Sequence, residues 1–124
     1  MFRVLIIDND AHYRALIFEI LWDAPYQLDQ APSAKTGLGI LKQKPADLVI
    51  TEIVMPEMDG LQLIPILRRE FPSTKILAMT AGRMFSPEHY FQIAHALGAH
   101  ATLAKPFLEK DMLHLVDSLL PARS

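Results

Sequence analysis

The chain of 124 residues contains no cysteine. This absence excludes disulfide bonds, catalysis by a thiol and metal sites built from thiolates. The formal net charge is only -2, so the chain lacks the basic field that would recruit nucleic acid or an anionic membrane. The apolar run at residues 4–7 is far too short for a signal sequence or a transmembrane helix. We therefore expect a cytoplasmic protein with no direct nucleic-acid partner and no membrane partner.

The length and composition indicate one globular domain. A chain of 124 residues can bury one substantial core without disulfide or metal staples. Its hydrophobic fraction of 51% and charged fraction of 21% are ordinary for a globular protein. No internal repeat or low-complexity segment divides the sequence. We therefore expect residues 1–124 to form a single domain.

Five short apolar runs alternate with five segments of helical pattern. The first, third and fourth runs are nearly continuous aliphatic stretches, which is typical of parallel strands covered on both faces. Alternation of this kind predicts βαβ units with right-handed crossovers, and therefore an α/β fold. The predicted strands cover residues 2–7, 27–31, 47–51, 75–79 and 101–104.

The predicted helices begin at side chains that can cap them. Asp10, Ser33, Asp59 and Ser86 each precede a periodic segment, and Gly98 follows the fourth one. The second helix is predicted to end near residue 43 and the third near residue 71. Apolar stripes assign core faces to the first, fourth and fifth helices. The stripes are Tyr13, Leu16, Ile17, Ile20 and Leu21, then Tyr90, Ile93, Ala94 and Leu97, then Met112, Leu115, Val116 and Leu119.

Polar side chains follow the carboxyl ends of four predicted strands. Ligands of parallel α/β sheets bind at this edge, where the strand order reverses, so we expect these side chains to converge. Clustered carboxylates suit Mg²⁺, and a lysine beside them offers a positive charge to phosphoryl oxygens. A carboxylate between metal and lysine would be a nucleophile for phosphoryl transfer. The candidates are Asp8, Asn9, Asp10, Glu52, Thr80 and Lys105.

Four short motifs follow one another along nearly the whole chain: Asp8-Asn9-Asp10, Met55-Pro56…Asp59-Gly60, Met79-Thr80-Ala81 and Lys105-Pro106-Phe107. Together they resemble the receiver domain of two-component response regulators. The resemblance implies a flavodoxin-like (βα)5 three-layer sandwich with a parallel five-stranded sheet of order 2-1-3-4-5. It also implies phosphorelay signal transduction, in which a histidine kinase transfers a phosphoryl group to an aspartate with the help of Mg²⁺. A cis bond before Pro106 is a further implication.

The resemblance also carries roles over to individual positions. Glu52 stands at the phosphoacceptor position, and Thr80 and Lys105 match the residues that complete the phosphoryl site. The positions that would bind the metal are Asp8, Asn9, Glu52 and the backbone carbonyl of Val54, with Asp10 as an additional candidate.

Three positions depart from the family pattern. Glu52 is longer than aspartate by one C–C bond, about 1.5 Å, which displaces a nucleophile by more than positioning catalysis tolerates. Asn9 is neutral where the family has a second acidic metal ligand, and Thr102 stands where an aromatic residue is common. We therefore expect weak or absent Mg²⁺ binding, and a Glu52 carboxylate that pairs with Lys105 or accepts a hydrogen bond from Thr80.

These observations favour an atypical receiver that is not an enzyme and that binds a histidine kinase or another signalling protein without being phosphorylated. A functional receiver that binds Mg²⁺ and accepts a phosphoryl group is the alternative. A small Mg²⁺-dependent phosphatase ranks last, because no second general acid or base is visible in the sequence.

The fourth helix and the loop before it carry apolar residues outside the assigned core stripe. Met84, Phe85 and Phe91 are candidates for a partner surface, or for a homodimer through the face formed by helix four, strand five and helix five. Partial burial in the core is the alternative for these three side chains.

Overall fold

The computed structural model describes residues 1–120, which form five strands and five helices in alternation. The predicted domain limit at residue 124 lies outside the described residues. The strands are β1 (Phe2–Ile7), β2 (Tyr26–Ala31), β3 (Leu48–Glu52), β4 (Lys75–Thr80) and β5 (Ala101–Ala104). The helices are α1 (Ala11–Leu21), α2 (Ala34–Gln43), α3 (Gly60–Glu70), α4 (Pro87–Leu97) and α5 (Glu109–Leu119). None of these helices is long and apolar enough to cross a membrane.

The strands form one parallel sheet in the order β2-β1-β3-β4-β5, which confirms the predicted flavodoxin-like topology. β3 lies one residue later than predicted, because its last residue pairs with Met79 of β4. Asp47 instead accepts a hydrogen bond of 2.8 Å from a backbone N–H of β1. Two other strands extend one residue beyond the prediction, β2 at Tyr26 and β4 at Thr80.

The sheet has a hydrophobic core on each face, since successive side chains of a strand point to opposite sides. In β1, Leu5 and Ile7 pack among residues of α2, α3 and α4. Val4 and Ile6 pack on the other side, among residues of α1 and α5. The nearly unbroken aliphatic runs of the sequence therefore correspond to strands that are covered on both faces.

The helix termini follow the predicted capping signals. Asp10, Ser33, Asp59 and Ser86 each accept a hydrogen bond from a backbone N–H in the first turn of the helix that follows. Gly98 ends α4 with a φ of 119°, in the left-handed region that side chains disfavour. These caps place each helix start directly beside the carboxyl end of a strand.

The predicted core face of α4 is correct at Tyr90 and Ala94 and wrong at Ile93 and Leu97. Phe91 is half-buried and packs, with Tyr90 and Ala94, against the core. Ile93 and Leu97 are instead 38% and 36% exposed. Apolar residues occupy two neighbouring faces of this helix, so periodicity alone did not distinguish the buried face from the exposed one.

The core stripe of α1 is correct at Ile17, Ile20 and Leu21, which are buried. Leu16, assigned to the same stripe, is 42% exposed. Leu16 lies at the margin of the apolar face of the helix, where helical spacing does not decide whether a side chain is buried.

Two glycines of α2 have different surroundings. A Cβ atom at Gly37 would lie 2.5 Å from the buried Cδ1 of Ile7, so only glycine lets the helix approach β1 this closely. A Cβ atom at Gly39 would meet nothing within 4 Å. Glycine inside a helix costs about 1 kcal/mol relative to alanine, and at Gly39 no packing requirement offsets that cost.

The two glycines predict opposite effects of the same substitution. We expect Gly39→Ala to raise the free energy of unfolding by about 1 kcal/mol. Gly37→Ala should lower it, because overpacking a core typically costs about 1–3 kcal/mol and exceeds the gain in helix propensity. Urea denaturation of both variants measures the difference. Equal effects at the two positions would contradict this assignment of the two glycines.

Candidate functional site

Three charged side chains meet at the carboxyl edge of the sheet. Asp8 follows β1, Glu52 ends β3 and Lys105 follows β5. Their relative exposures are only 1%, 6% and 9%. Backbone hydrogen bonds fix these positions, among them one of 3.0 Å from the N–H of Lys105 to the carbonyl oxygen of Thr80. The parallel order of the strands therefore brings together residues that are far apart in the sequence.

The Lys105 ammonium is the centre of this cluster. Its Nζ lies 2.6 Å from Oδ2 of Asp8 and 2.6 Å from Oε1 of Glu52. It also lies 3.9 Å from the ring centroid of Tyr13, within the range of a cation–π interaction. With all three groups ionised, one positive charge faces two negative charges. We call Asp8, Glu52 and Lys105 the Lys105 triad.

The second carboxylate oxygen of Glu52 turns back onto the main chain. Its Oε2 accepts hydrogen bonds of 2.9 Å from the N–H groups of Ile53 and Val54. Its other oxygen, Oε1, accepts the hydrogen bond from Lys105. Both oxygens of the carboxylate are therefore hydrogen-bonded, so the buried negative charge is compensated.

Asp8 is held from two directions. Its Oδ1 accepts a hydrogen bond of 2.9 Å from the backbone N–H of Asp10, and its Oδ2 accepts from Lys105. Burial raises the pKa of the Asp8 carboxyl, and the hydrogen bonds from Lys105 and Asp10 only partly offset this effect. Ionisation of Asp8 is therefore less favourable in the folded protein than in the unfolded chain.

Lys105 stays protonated despite its burial. Burial alone would lower the pKa of its ammonium, but the hydrogen bonds to Asp8 and Glu52 outweigh it and raise the pKa above its usual value. The triad is therefore held together by a permanently charged lysine over the physiological pH range.

The motif that follows β3 builds the wall beside Glu52. Asp59 caps α3 through a reciprocal capping box with Gln62. A Cβ atom at Gly60 would lie 2.7 Å from the carbonyl oxygen of Glu52. Glycine is thus required there by close approach of α3 to β3, and the motif positions the loop that carries Val54.

The remaining predicted residues line the same cleft without joining the triad. The cleft has a volume of about 270 Å³. Thr80 Oγ1 accepts a hydrogen bond of 3.1 Å from the N–H of Gly82. Asn9 and Asp10 are exposed, and Asp10 caps α1 through a hydrogen bond of 2.9 Å from the N–H of His12. Of the two predicted partners for Glu52, the structure records the hydrogen bond to Lys105.

Sequence reasoning assigned Tyr13 only to the core of α1, and it did not select Arg14 or Arg83. Tyr13 lies beside the ammonium, Arg83 lines the cleft, and the Arg14 guanidinium donates to the carbonyl oxygen of Asp8. Their positions in the sequence could have identified Tyr13 and Arg14 as site residues. Both lie in the first turn of the helix that follows β1, and helices of this fold begin at the carboxyl edge of the sheet.

The oxygen ligands that would hold Mg²⁺ already have other partners in this arrangement. The carboxylates of Asp8 and Glu52 both face the ammonium of Lys105, and Asp10 is engaged as a helix cap. Asn9 contributes a neutral amide. Among residues 1–120, no three histidine or carboxylate side chains converge into a group that could hold a metal ion. A cation at this position would compete with the ammonium for both carboxylates.

A parallel sheet of this order, with acidic residues and a lysine at its carboxyl edge, is the architecture of a receiver-type signalling domain. The sequence profile of the response regulator receiver domain matches residues 4–117. A probable chemotaxis protein CheY of Rhizobium etli is 31% identical over 121 residues, which span 97% of this chain and 93% of that protein.

Two further comparisons agree. Sporulation initiation phosphotransferase F of Bacillus subtilis is 28% identical over 98% of this chain and 96% of its own length. The structure of the Vibrio cholerae chemotaxis protein CheY4 has a TM-score of 0.86 at 29% identity, covering 97% of this chain and 99% of that one. The chain belongs to the response regulator receiver family, whose members are signalling modules of two-component systems.

The raised pKa of Asp8 predicts how stability depends on pH. The folded protein binds the Asp8 proton more tightly than the unfolded chain, whose carboxyl has the ordinary pKa of 3.8. The stability contributed by Asp8 is therefore largest below pH 3.8 and falls as pH rises through the higher folded-state pKa.

We expect Asp8→Asn to remove this dependence. The free energy of unfolding of the variant, minus that of the wild type, should increase with pH between the unfolded-state and folded-state pKa of Asp8. The increase should be at most about 1.4 kcal/mol per pH unit, and the difference should be constant at higher pH. Urea denaturation at a series of pH values measures it, and the two proteins must show equal denaturant slopes. An advantage that shrinks with rising pH would contradict the assignment.

Proposed function

We propose that this chain is an atypical receiver domain that acts as a phosphorylation-independent protein-interaction module in the cytoplasm. The observation that carries the proposal is the hydrogen bonding of Glu52. Its carboxylate accepts from two successive backbone N–H groups and from the Lys105 ammonium. These donors form an anion site, and the protein's own side chain fills it.

The proposal follows from the chemistry of that anion site. Successive backbone N–H groups and a lysine are the donors that phosphoryl oxygens require. With Glu52 among them, the two backbone N–H groups and one Lys105 hydrogen bond are already taken by the protein's own carboxylate, and a phosphoryl group would have to displace it. A carboxylate stabilised by three hydrogen bonds is also a weaker nucleophile, because attack on phosphorus would first require the ion pair with Lys105 to break.

The alternative is a receiver that still accepts a phosphoryl group. A relative named as a phosphotransferase makes this the appropriate comparison. Receiver domains interact with histidine kinases and other signalling proteins, so either form would have a kinase or another signalling protein as its partner. We do not propose the small phosphatase, since both buried carboxylates are bound to Lys105.

Intact-mass measurement after incubation with acetyl phosphate and Mg²⁺ separates these two forms. We expect the wild-type protein to gain no phosphoryl group. The variant that combines Glu52→Asp and Asn9→Asp should gain one, because nucleophile position and metal charge are separate requirements. Each single substitution serves as a control. A stoichiometric mass gain in the wild type that Glu52→Gln abolishes would identify a functional receiver.

Calorimetric titration tests the expected weakness of the metal site. We expect Mg²⁺ to bind with a dissociation constant of about 1 mM or weaker, equivalent to a binding free energy near -4 kcal/mol. The physical reason is that the ammonium competes for the carboxylates of Asp8 and Glu52. Binding in the micromolar range that Asp8→Ala abolishes would show that the site holds Mg²⁺ as it does in typical receivers.

The exposed face of α4 is the surface that we propose for self-association. Met84 and Phe85, in the loop before α4, are 84% and 54% exposed. Ile93 and Leu97 continue the exposed apolar surface along the helix. Phe91, which the sequence analysis also proposed for this surface, packs against the core. It is therefore not part of the surface. We call this set the α4 surface.

We expect sedimentation analysis to show a homodimer that the double substitution of Phe85→Ser and Ile93→Ser dissociates, with or without acetyl phosphate. The loss follows from removal of exposed apolar area that only a partner can cover. Trp22→Ser is the matched control, since Trp22 is 66% exposed and follows the last residue of α1, a helix that packs on the other side of the sheet. Dissociation by the control, or none by the double variant, would remove the α4 surface from the proposal.

A further inference from the structure

A groove separate from the Lys105 triad lies between α2 and the loop that joins β3 to α3. Its volume is about 480 Å³. Leu38 of α2 and Met58 of the loop contribute apolar walls, and Lys35 and Lys42 are the cations of its lining. Neither the phosphoacceptor position nor the α4 surface includes any of these residues. The groove is therefore an independent feature of the molecule.

The apolar part of the groove belongs to the edge of the core. Leu38 and Met58 are both half-buried and pack against the core that α2 and α3 share. Their remaining exposed surface faces a concavity instead of flat solvent-exposed helix. Concave apolar surface with a few charged groups at its margin is the usual form of a site that receives a side chain.

The charge of the lining differs in sign from that of the chain. The lining carries two lysines and one carboxylate, Glu57, whereas the whole chain has a formal net charge of -2. Lys35 and Lys42 are seven residues apart on α2, so they lie on one helical face. Within residues 1–120, neither lysine forms an ion pair. Both ammonium groups are therefore available to carboxylates of a partner.

Two residues of the lining are unfavourable for the fold itself. Gly39 is inside α2, although a Cβ atom there would meet nothing within 4 Å. Glu57 has a φ of 65°, the left-handed region, and is the one non-glycine residue with positive φ among residues 1–120. Such local strain gathers at sites that bind ligands. The absence of a side chain at Gly39 also leaves the groove open.

We propose that this groove docks an acidic peptide segment of a partner protein. One aliphatic side chain of the segment contacts Leu38 and Met58, and flanking carboxylates pair with Lys35 and Lys42. An anionic membrane fits less well, because membrane-binding surfaces gather roughly four to eight basic residues, whereas two line this groove. The proposal concerns a second binding surface and does not depend on the state of Glu52.

A blocked pentapeptide of sequence Asp-Glu-Leu-Asp-Glu is a suitable probe. We expect its titration into the full chain to shift the backbone amide NMR signals of α2 and of Glu57 and Met58, with saturation in the millimolar range. Two control peptides should lose binding: one with serine in place of leucine, and one with lysines in place of the acids. These controls separate the apolar contribution from the electrostatic one.

Substitutions in the groove provide the second arm of the test. Gly39→Met should weaken binding by about tenfold or more, equivalent to 1.4 kcal/mol, because its side chain occupies the groove. Gly39→Ala should have a smaller effect and confirms that the helix still folds. Lys42→Glu should abolish binding, whereas Lys110→Glu on α5, across the sheet, should leave it unchanged.

Three results would overturn the proposal. The first is a peptide that shifts no groove signals at millimolar concentration, or shifts those of the Lys105 triad instead. The second is unchanged affinity in a folded Gly39→Met variant. The third is binding to phosphatidylserine vesicles that requires Lys42 while the peptide does not bind, which would assign the groove to a lipid surface.

Discussion

The contact of the Lys105 ammonium with two buried carboxylates is the interaction on which the rest of this site depends. It joins the ends of β1, β3 and β5, strands that are distant in the sequence. Burying three charges is costly, and a buried pair stabilises a fold only when its geometry and additional hydrogen bonds are good. Here Glu52 and Asp8 each accept further bonds from backbone N–H groups. The loops at this edge are therefore held to the charged cluster.

The extra methylene group of Glu52 changes what this edge of the sheet can do. The longer side chain turns back and places its carboxylate on the donors of the following peptide groups. The same length brings its other oxygen to the ammonium. A negative charge therefore lies at the acceptor position without an added phosphoryl group. On this observation we propose that the domain acts as an interaction module.

In the proposed function, partners are recognised by surfaces away from the triad. The α4 surface consists of exposed apolar side chains, whereas the groove beside α2 is concave and locally cationic. These two surfaces belong to the helical layer on one side of the sheet. They differ in shape and charge, so we expect them to bind different kinds of partner.

The sequence by itself determined the secondary structure, and the resemblance of its motifs to receiver domains indicated the family and the strand order. Aliphatic runs, capping residues such as Asp10 and Ser33, and motifs at strand ends are local signals, and each acts within a few residues. The predicted convergence of Asp8, Glu52 and Lys105 followed from the topology alone. Strand limits were displaced by one residue because pairing between strands decides where a ladder ends.

Only the tertiary structure decided how side chains are oriented and which helical faces are buried. Tyr13 belongs to the site because the first turn of α1 lies beside the ammonium. Ile93 is exposed and Phe91 is packed because α4 presents one of two apolar faces to the core. The groove beside Gly39 exists because a loop from another part of the chain forms its second wall. These features depend on contacts between distant segments, which local propensity and periodicity do not encode.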